Sequence, residues 1–301
     1  MKHIFVINPV SGHQNAVELI PIIEAYFKDR QNEFEIKVTQ YPKHATEIAA
    51  SYHVSDEVIV YACGGDGTAN EVLNGLAPDI PMAIIPSGTG NDFYRMFSLK
   101  SKDPKQLLIE TIEGKNSCVD CGIASGKRFL NCSTMGFDAD VGAEADRLAR
   151  QKWLPSSFVY LTAVLKILTQ RKALDMTLDF NGQTLKVKAL IVAVMNGRFY
   201  GGGFIPTPMA NIQDGVFDLC VIEDTSLVNI LTLLPKYMKG THINESIVRF
   251  YKTSAIRIRC QGGASIQTDG ELTQLEDLDI RMLAKGLKIR VPLSSSLEAC
   301  E

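Results

Sequence analysis

Three glycines fall within four positions in the string Cys63-Gly64-Gly65-Asp66-Gly67-Thr68-Ala69-Asn70-Glu71. Glycines spaced this way let a backbone pass close to an anion and take φ > 0 without a steric penalty. An apolar run precedes the string and a helical pattern follows it from Ala69. The free N–H groups of a helix start therefore point at the same spot, which suits the holding of a phosphate. Asp66 is out of place beside phosphates alone, because its carboxylate repels them. It fits if it accepts hydrogen bonds from its neighbours or holds a cation. A tight turn with Asp66 or Thr68 capping a helix is the bland alternative, and the length of the string speaks against it.

Two further strings share the same setting. Pro86-Ser87-Gly88-Thr89-Gly90-Asn91-Asp92 offers two hydroxyls, glycine amides and a second carboxylate. Asn8-Pro9-Val10-Ser11-Gly12, the first in chain order, is another turn of this kind. No Gly-Lys-Ser/Thr follows any of them, so a nucleotide site here is not a Walker A loop.

Short apolar runs suited to buried strands lie at 3–8, 34–39, 57–62 and 82–85, all but the second just before one of these turns. Between them, 15–30 places Val17, Ile20, Ile23 and Phe27 at helical spacing. Residues 46–52 and 69–76 also read as helices, and 91–97 begins another. The β-α-β-α order implies a parallel sheet with right-handed crossovers, a doubly wound α/β domain. Ligands of such sheets bind beyond the carboxyl ends of the strands. The glycine turns all follow strands, so they should converge.

From about residue 116 the texture changes. Residues 118–124 and 127–134 read as strands paired around Ser125-Gly126, and 148–169 as a helix. Strands then follow at 175–180, 184–195, 216–223, 247–251, 255–260, 264–268, 278–283 and 288–292, with Asn181-Gly182 as a hairpin turn. This half reads as an antiparallel β-sandwich. The expected domains are 1–120 with a returning segment at about 291–301, and 121–290, with the ligand in the cleft between them.

The chain of 301 residues carries a net charge of −3 and a pI near 6.0. That balance argues against nucleic acid as a partner, because phosphate neutralisation needs a basic face. The seven cysteines are odd in number and irregular in spacing, and the start has no signal-peptide shape. Reduced thiols in a cytoplasm are the expectation. Cys118-Val-Asp-Cys121 has CxxC spacing with no second pair or histidine nearby, so buried thiols on a strand are the default. No run reaches the ~18–20 apolar residues of a membrane span. Arg147, Arg150, Lys152, Trp153, the apolar residues 160–168 and Arg171-Lys172 form a basic and apolar stretch. It suits anionic lipid headgroups, and equally a core helix with solvated ends.

Taken together, these strings resemble the diacylglycerol kinase catalytic superfamily, in particular its bacterial lipid kinases, with sphingosine and ceramide kinases as relatives. The resemblance spans the chain. It runs through Asn8-Pro9-x-x-Gly12, the Gly64 to Glu71 string, Gly88-Thr89-Gly90-Asn91-Asp92, Asp120-x-Gly122, Gly136-Phe137-Asp138-Ala139 and Asn196-Gly197. It continues through Gly201-Gly202-Gly203, Asp214-Gly215-x-x-Asp218 and Asp269-Gly270-Glu271. The Gly-Gly-Asp-Gly-Thr string alone is shared with NAD kinases and phosphofructokinase-like enzymes, and the later strings discriminate. Pro206-Thr207-Pro208 stands where such enzymes often have a simpler Ala-Pro.

The resemblance implies an ATP site lined by Asn8, Pro9, Val10, Ser11, Gly12, Thr39, Gly64, Gly65, Asp66, Gly67, Thr68, Ala69, Asn70, Glu71, Ser87, Gly88, Thr89, Asn91 and Asp92. It implies an acidic network of Asp66, Asp92 and Asp120 engaging a catalytic Mg²⁺, and a structural Mg²⁺ at Gln213, Val216 and Asp218. Gln213 departs from an acid at its position. It also implies a general base in the Asp269-Gly270-Glu271 turn, with Glu271 preferred and Asp269 supporting it. The implied activity is transfer of the ATP γ-phosphate to a lipid hydroxyl, foremost that of diacylglycerol, to give phosphatidic acid. Such an enzyme is expected in the cytoplasm, visiting the membrane surface peripherally, and a homodimer is open to it. A kinase of NAD or another soluble substrate, and a nucleotide-binding regulator without turnover, are the alternatives.

Overall fold

The computed structural model describes residues 1–14, 16–99, 103–149, 162–163, 166–167 and 173–300. The first half is the expected α/β unit. Strands β1 (Lys2–Ile7), β2 (Phe34–Val38), β3 (Val58–Gly64) and β4 (Met82–Pro86) pair in parallel in the order β2-β1-β3-β4. The central strands β1, β3 and β4 bury both faces, and their residues alternate accordingly, while β2 lies at the sheet edge and is partly exposed. On one face, Phe5, Ile7, Ile59, Tyr61 and Ile85 pack against Ile23 and Phe27 of α1 (Ile20–Phe27). On the other, Ile4, Val6, Val60 and Ile84 meet α2 (His44–Ala50) and α3 (Asp66–Gly75). A further helix, α4 (Pro104–Ile112), was not expected from the sequence; Asp103 caps its start by accepting from Lys105 N.

The second half is the expected β-sandwich. It contains β5 (Lys115–Ala124), β6 (Lys127–Phe129), β7 (Cys132–Gly136), β8 (Leu174–Phe180), β9 (Gln183–Met195), β10 (Phe217–Glu223), β11 (Val248–Thr253), β12 (Ala255–Thr268) and β13 (Glu271–Val291). Inward residues such as Phe129, Met135, Leu178, Val194, Phe217, Leu219, Ile258 and Ile280 fill its interior. Helices α5 (Phe137–Ala149) and α6 (Leu227–Lys239) cover one outer face. Neither was expected from the sequence. Pro235 inside α6 breaks its periodicity, while Ser226 and Gly240 cap its two ends.

Several elements differ from expectation for identifiable reasons. The segments at 255–260 and 264–268 are one strand with a bulge, made by Gly262 and Gly263 at φ +83° and +78°. Those at 278–283 and 288–292 are likewise one strand, β13, bulged at Lys285 with φ +51°. The helix expected at 91–97 is only a 3-10 turn, Tyr94–Phe97, because Asn91 and Ser98 take φ of +50° and +56°. The helix expected at 148–169 and the basic stretch at Arg150, Lys152, Trp153, 160–168 and Arg171-Lys172 lie mostly outside the described residues. Cys118 is bonded to Cys300 across 182 residues, so the thiols are not all free as expected. Cys121, its CxxC neighbour, is free and buried. Among the described residues, no helix is long and apolar enough to cross a membrane.

The two halves are joined by hydrogen bonds along one strand. Ile289 and Arg290, near the end of β13, pair in parallel with Met82 and Ala83 of β4. The rest of β13 pairs antiparallel with β5 and β12.

Candidate functional site

The three glycine turns do converge. Ser87 N donates to Gly64 O at 2.8 Å, and Asn8 N donates to Cys63 O at 3.0 Å. A Cβ on Gly12, whose φ is +54°, would lie 1.6 Å from Ser87 O, and one on Gly88 would lie 2.4 Å from Gly65 Cα. The loops touch backbone to backbone, so glycine is required at these contacts. Asn8 Nδ2 donates to Thr68 Oγ1 at 2.9 Å and ties the first turn to the start of α3. Asn91 closes the third turn on itself through Gly88 N and O.

Beside these turns lies a cleft of ≈ 320 Å³ lined by Asn8, Pro9, Val10, Thr39, Tyr41 and Glu71. The Glu71 carboxylate accepts from Lys43 N and Ala45 N at the start of α2, so it shapes the wall of the cleft. Ser11 opens a 3-10 turn, Ala69 is buried in the core, and Gly67 is open to solvent. The Ser87 hydroxyl is buried with no hydrogen-bond partner among the described residues. Thr89 lines a different cavity, of ≈ 480 Å³, with Tyr94, Arg95 and Phe199.

On the other side of the turns is an acidic pocket of ≈ 200 Å³, bordered by Asp66, Asp92, Asn131, Tyr200, Gly202 and Asp269. Asp66 is the first residue of α3. Burial, then the carboxylates of Asp92 and Asp269, push its pKa up to about 6, against the amides of Asp92 and Phe93. Asp92 is 5% exposed. Its Oδ2 accepts from Gly202 N at 2.8 Å, while Oδ1 has no hydrogen-bond partner among the described residues. Burial pushes its pKa up as well. Both carboxylates border one point: a Cβ on Gly90 would lie 2.9 Å from Asp66 Oδ2 and 3.6 Å from Asp92 Oδ2. Two converging acids, one with a buried oxygen that accepts no hydrogen bond and has the Arg95 guanidinium 3.7 Å away, fit Mg²⁺, which takes one or two carboxylates and fills its shell with water and phosphate oxygens.

Asp120 is not part of this pair. Its carboxylate accepts from Gly215 N at 2.8 Å and from Lys285 N at 2.7 Å, holding the β13 bulge. The expected network of three aspartates is therefore not assembled. No group of three or more His, Cys, Asp or Glu able to hold a metal occurs among the described residues.

The two acids of the Asp269-Gly270-Glu271 turn have different surroundings. Asp269, at φ +44°, accepts from Leu130 N (2.6 Å), Asn131 N (3.0 Å), Cys132 N (3.0 Å) and Asn70 Nδ2 (3.2 Å). Burial raises its pKa and these donors lower it. Glu271 is exposed, with its carboxylate 2.6 Å from Lys127 Nζ. It borders a separate ≈ 170 Å³ cavity that shares Asn70 with the Asp269 anchor. Sequence reasoning missed Asn131, Tyr200, Arg95 and Gln267 as lining residues. Only the Gly201-Gly202-Gly203 string signalled that this loop reaches the site.

A doubly wound sheet whose strand-end glycine turns meet over paired acids, closed by a turn from a β-sandwich, defines a kinase of the non-Walker type. The profile of the diacylglycerol kinase catalytic domain matches residues 2–124. That of the YegS C-terminal NAD kinase β-sandwich-like domain matches residues 132–290. A diacylglycerol kinase of Mycobacterium tuberculosis is 30% identical over 95% of this chain and 93% of its own. One of Staphylococcus aureus is 29% identical over 88% and 84%. A Bacillus anthracis crystal structure assigned provisionally as a diacylglycerol kinase superposes with a TM-score of 0.75 at 26% identity, covering 96% and 97% of the two chains. The chain belongs to the diacylglycerol kinase family.

Proposed function

We propose that the protein transfers the γ-phosphoryl group of ATP to the hydroxyl of a membrane lipid, foremost diacylglycerol, giving phosphatidic acid. The observation that carries this is the contact of three glycine turns beside the ≈ 320 Å³ cleft and the Asp66–Asp92 pocket. The names of the relatives support the lipid as acceptor. The protein would meet its substrate at the membrane surface.

In this scheme the base and ribose of ATP occupy the cleft at Asn8, Pro9, Val10 and Thr39. The phosphates cross the loop amides of Gly65, Gly67 and Thr68 toward the acidic pocket. Asp66 and Asp92 would hold Mg²⁺, which neutralises charge on the phosphates. Both oxygens of Asp269 are committed to backbone amides and Asn70, so Asp269 fixes the turn. Glu271 keeps free acceptor capacity. Its ion pair with Lys127 is exposed and worth about 0–1 kcal/mol, so the carboxylate can leave it at little cost. Glu271 therefore takes the proton of the attacking hydroxyl, and Asp66 and Asp92 remain with the phosphates.

The test presents ATP and Mg²⁺ with either diacylglycerol micelles or NAD, and identifies the product by mass spectrometry. Phosphatidic acid is expected. Phosphorylated NAD, or tight ATP binding with no transfer to any lipid, would overturn the assignment. Asp66→Ala and Glu271→Ala should each abolish transfer to lipid while leaving the fold intact by circular dichroism.

A further inference from the structure

The loop before β10 carries Gln213, Val216 and Asp218, the residues from which the resemblance implies a structural divalent cation. These residues do not fit one. The side-chain amide of Gln213 is spent elsewhere: Nε2 donates to Cys118 O at 3.0 Å and to Glu298 O at 3.1 Å, and Oε1 accepts from Glu298 N at 3.0 Å. Gln213 thus splices the C-terminal segment to β5. A ligand role would break all three bonds.

The position between the acids is also taken. Asp218 on β10 stands directly opposite Lys252 on β11 in the antiparallel register. Lys252 Nζ lies 2.8 Å from Asp214 Oδ2 and 3.5 Å from Asp218 Oδ2. Asp218 is only 3% exposed, and its Oδ2 has no hydrogen-bond partner among the described residues. A buried carboxylate of this kind needs a compensating charge. The Lys252 ammonium is the nearest such charge, carried on a stem that β11 aims across the pair.

We propose that Lys252 is the cation of this site. A tethered ammonium bridges Asp214 and Asp218 where the resemblance implied a divalent ion, and the fold therefore needs no bound metal there. Position 213 carries no acid, and the lysine across the strand pair supplies the charge that offsets Asp214 and Asp218. An ammonium supplies a single charge and needs no ligand shell of six or more oxygens. That frees Gln213 for the C-terminal segment.

The test reads metal content and thermal stability, so it succeeds or fails independently of the kinase assignment. An Asp66→Asn background removes binding at the acidic pocket. In that background, the protein with Lys252 intact is expected to elute from gel filtration in Mg²⁺ without stoichiometric metal. Its melting temperature should be the same in EDTA and in millimolar Mg²⁺ or Ca²⁺. Adding Lys252→Met leaves Asp214 and Asp218 facing each other. Its melting temperature should fall by roughly 2–4 °C in EDTA and recover on addition of Mg²⁺ or Ca²⁺. Retained metal or a melting temperature lowered by EDTA with Lys252 present would overturn the proposal, as would a Lys252→Met variant that melts unchanged in EDTA. If that variant does not fold, the two measurements with Lys252 intact still decide.

Discussion

At the scale of single residues, the two acids of the Asp269-Gly270-Glu271 turn are the sharpest case. The sequence marks both as acidic and cannot tell them apart, because what separates them is which backbone amides come to meet them. Leu130, Asn131 and Cys132 lie about 140 positions away, at separations of 139, 138 and 137. That contact has no local signal. Its consequence is a split between stability and rate. Asp269→Ala strands three amides, each worth ~1–3 kcal/mol when left unsatisfied, so it should lower the melting temperature markedly. Glu271→Gln removes one exposed ion pair, so it should melt as the parent does while kcat falls ~10²–10⁴-fold. Thermal melts beside initial rates check both. A Glu271→Gln enzyme with near-parental kcat would shift the proton acceptor to Asp66.

Asp66 carries a second prediction. Its carboxyl is raised from 3.8 to about 6 in the fold. The folded state therefore holds this proton more tightly than the unfolded chain. The contribution is fully present below pH 3.8 and is lost as pH rises through about 6. Asp66→Asn removes that loss. It should raise stability above pH 7 by roughly 2 kcal/mol, allowing for partial solvent access, and change nothing below pH 3.8. Urea titrations at the two pH values measure it without added metal, since Mg²⁺ at the pocket would favour the ionised form.

At the scale of elements, the sequence was most legible where periodicity and glycine turns coincide. Strands β1 to β4 follow from short apolar runs, and the convergence of the turns follows from the glycine strings after β1, β3 and β4. The reading was least complete where tertiary contacts decide. Asp120 reads as a third metal acid only through the resemblance, as part of Asp120-x-Gly122, and it stands inside β5. The structure spends it on Gly215, 95 residues away before β10, and on Lys285, 165 residues away in the β13 bulge. Helix α6 was hidden by Pro235, and the bulged strands β12 and β13 each read as two. The turns themselves make a prediction. Gly12→Ala would place a Cβ 1.6 Å from Ser87 O at a φ of +54°. The strain of a non-glycine there is about 1–3 kcal/mol, before any displacement of the Ser87 turn. ATP affinity should drop with the melting temperature, because the first and third turns no longer meet. Calorimetric titration of ATP beside a thermal melt measures both, and parental affinity would show that the contact does not shape the site.

At the scale of the molecule, β13 decides how the halves behave. It begins at the turn carrying Glu271 and ends beside β4, inside the parallel sheet. Its last turns of alternation bury Leu287, Ile289 and Val291 in the core shared with α2 and α3, each at 1% exposure or less. Arg290 adds bonds to Thr111 O and Ile112 O at the end of α4. The α/β half is thus incomplete without the chain's far end. Burying three such side chains contributes ~1.5–3 kcal/mol apiece, which together is comparable with the ~5–15 kcal/mol that holds an ordinary protein folded. A fragment of residues 1–131 would lack them and would expose the unpaired edges of β4 and β5. It should not fold alone, and the full chain should melt in one calorimetric transition whose enthalpy matches the van't Hoff value. Two resolved transitions, or a cooperatively folded 1–131 fragment, would show instead that the halves are independent and that β13 only ties them together.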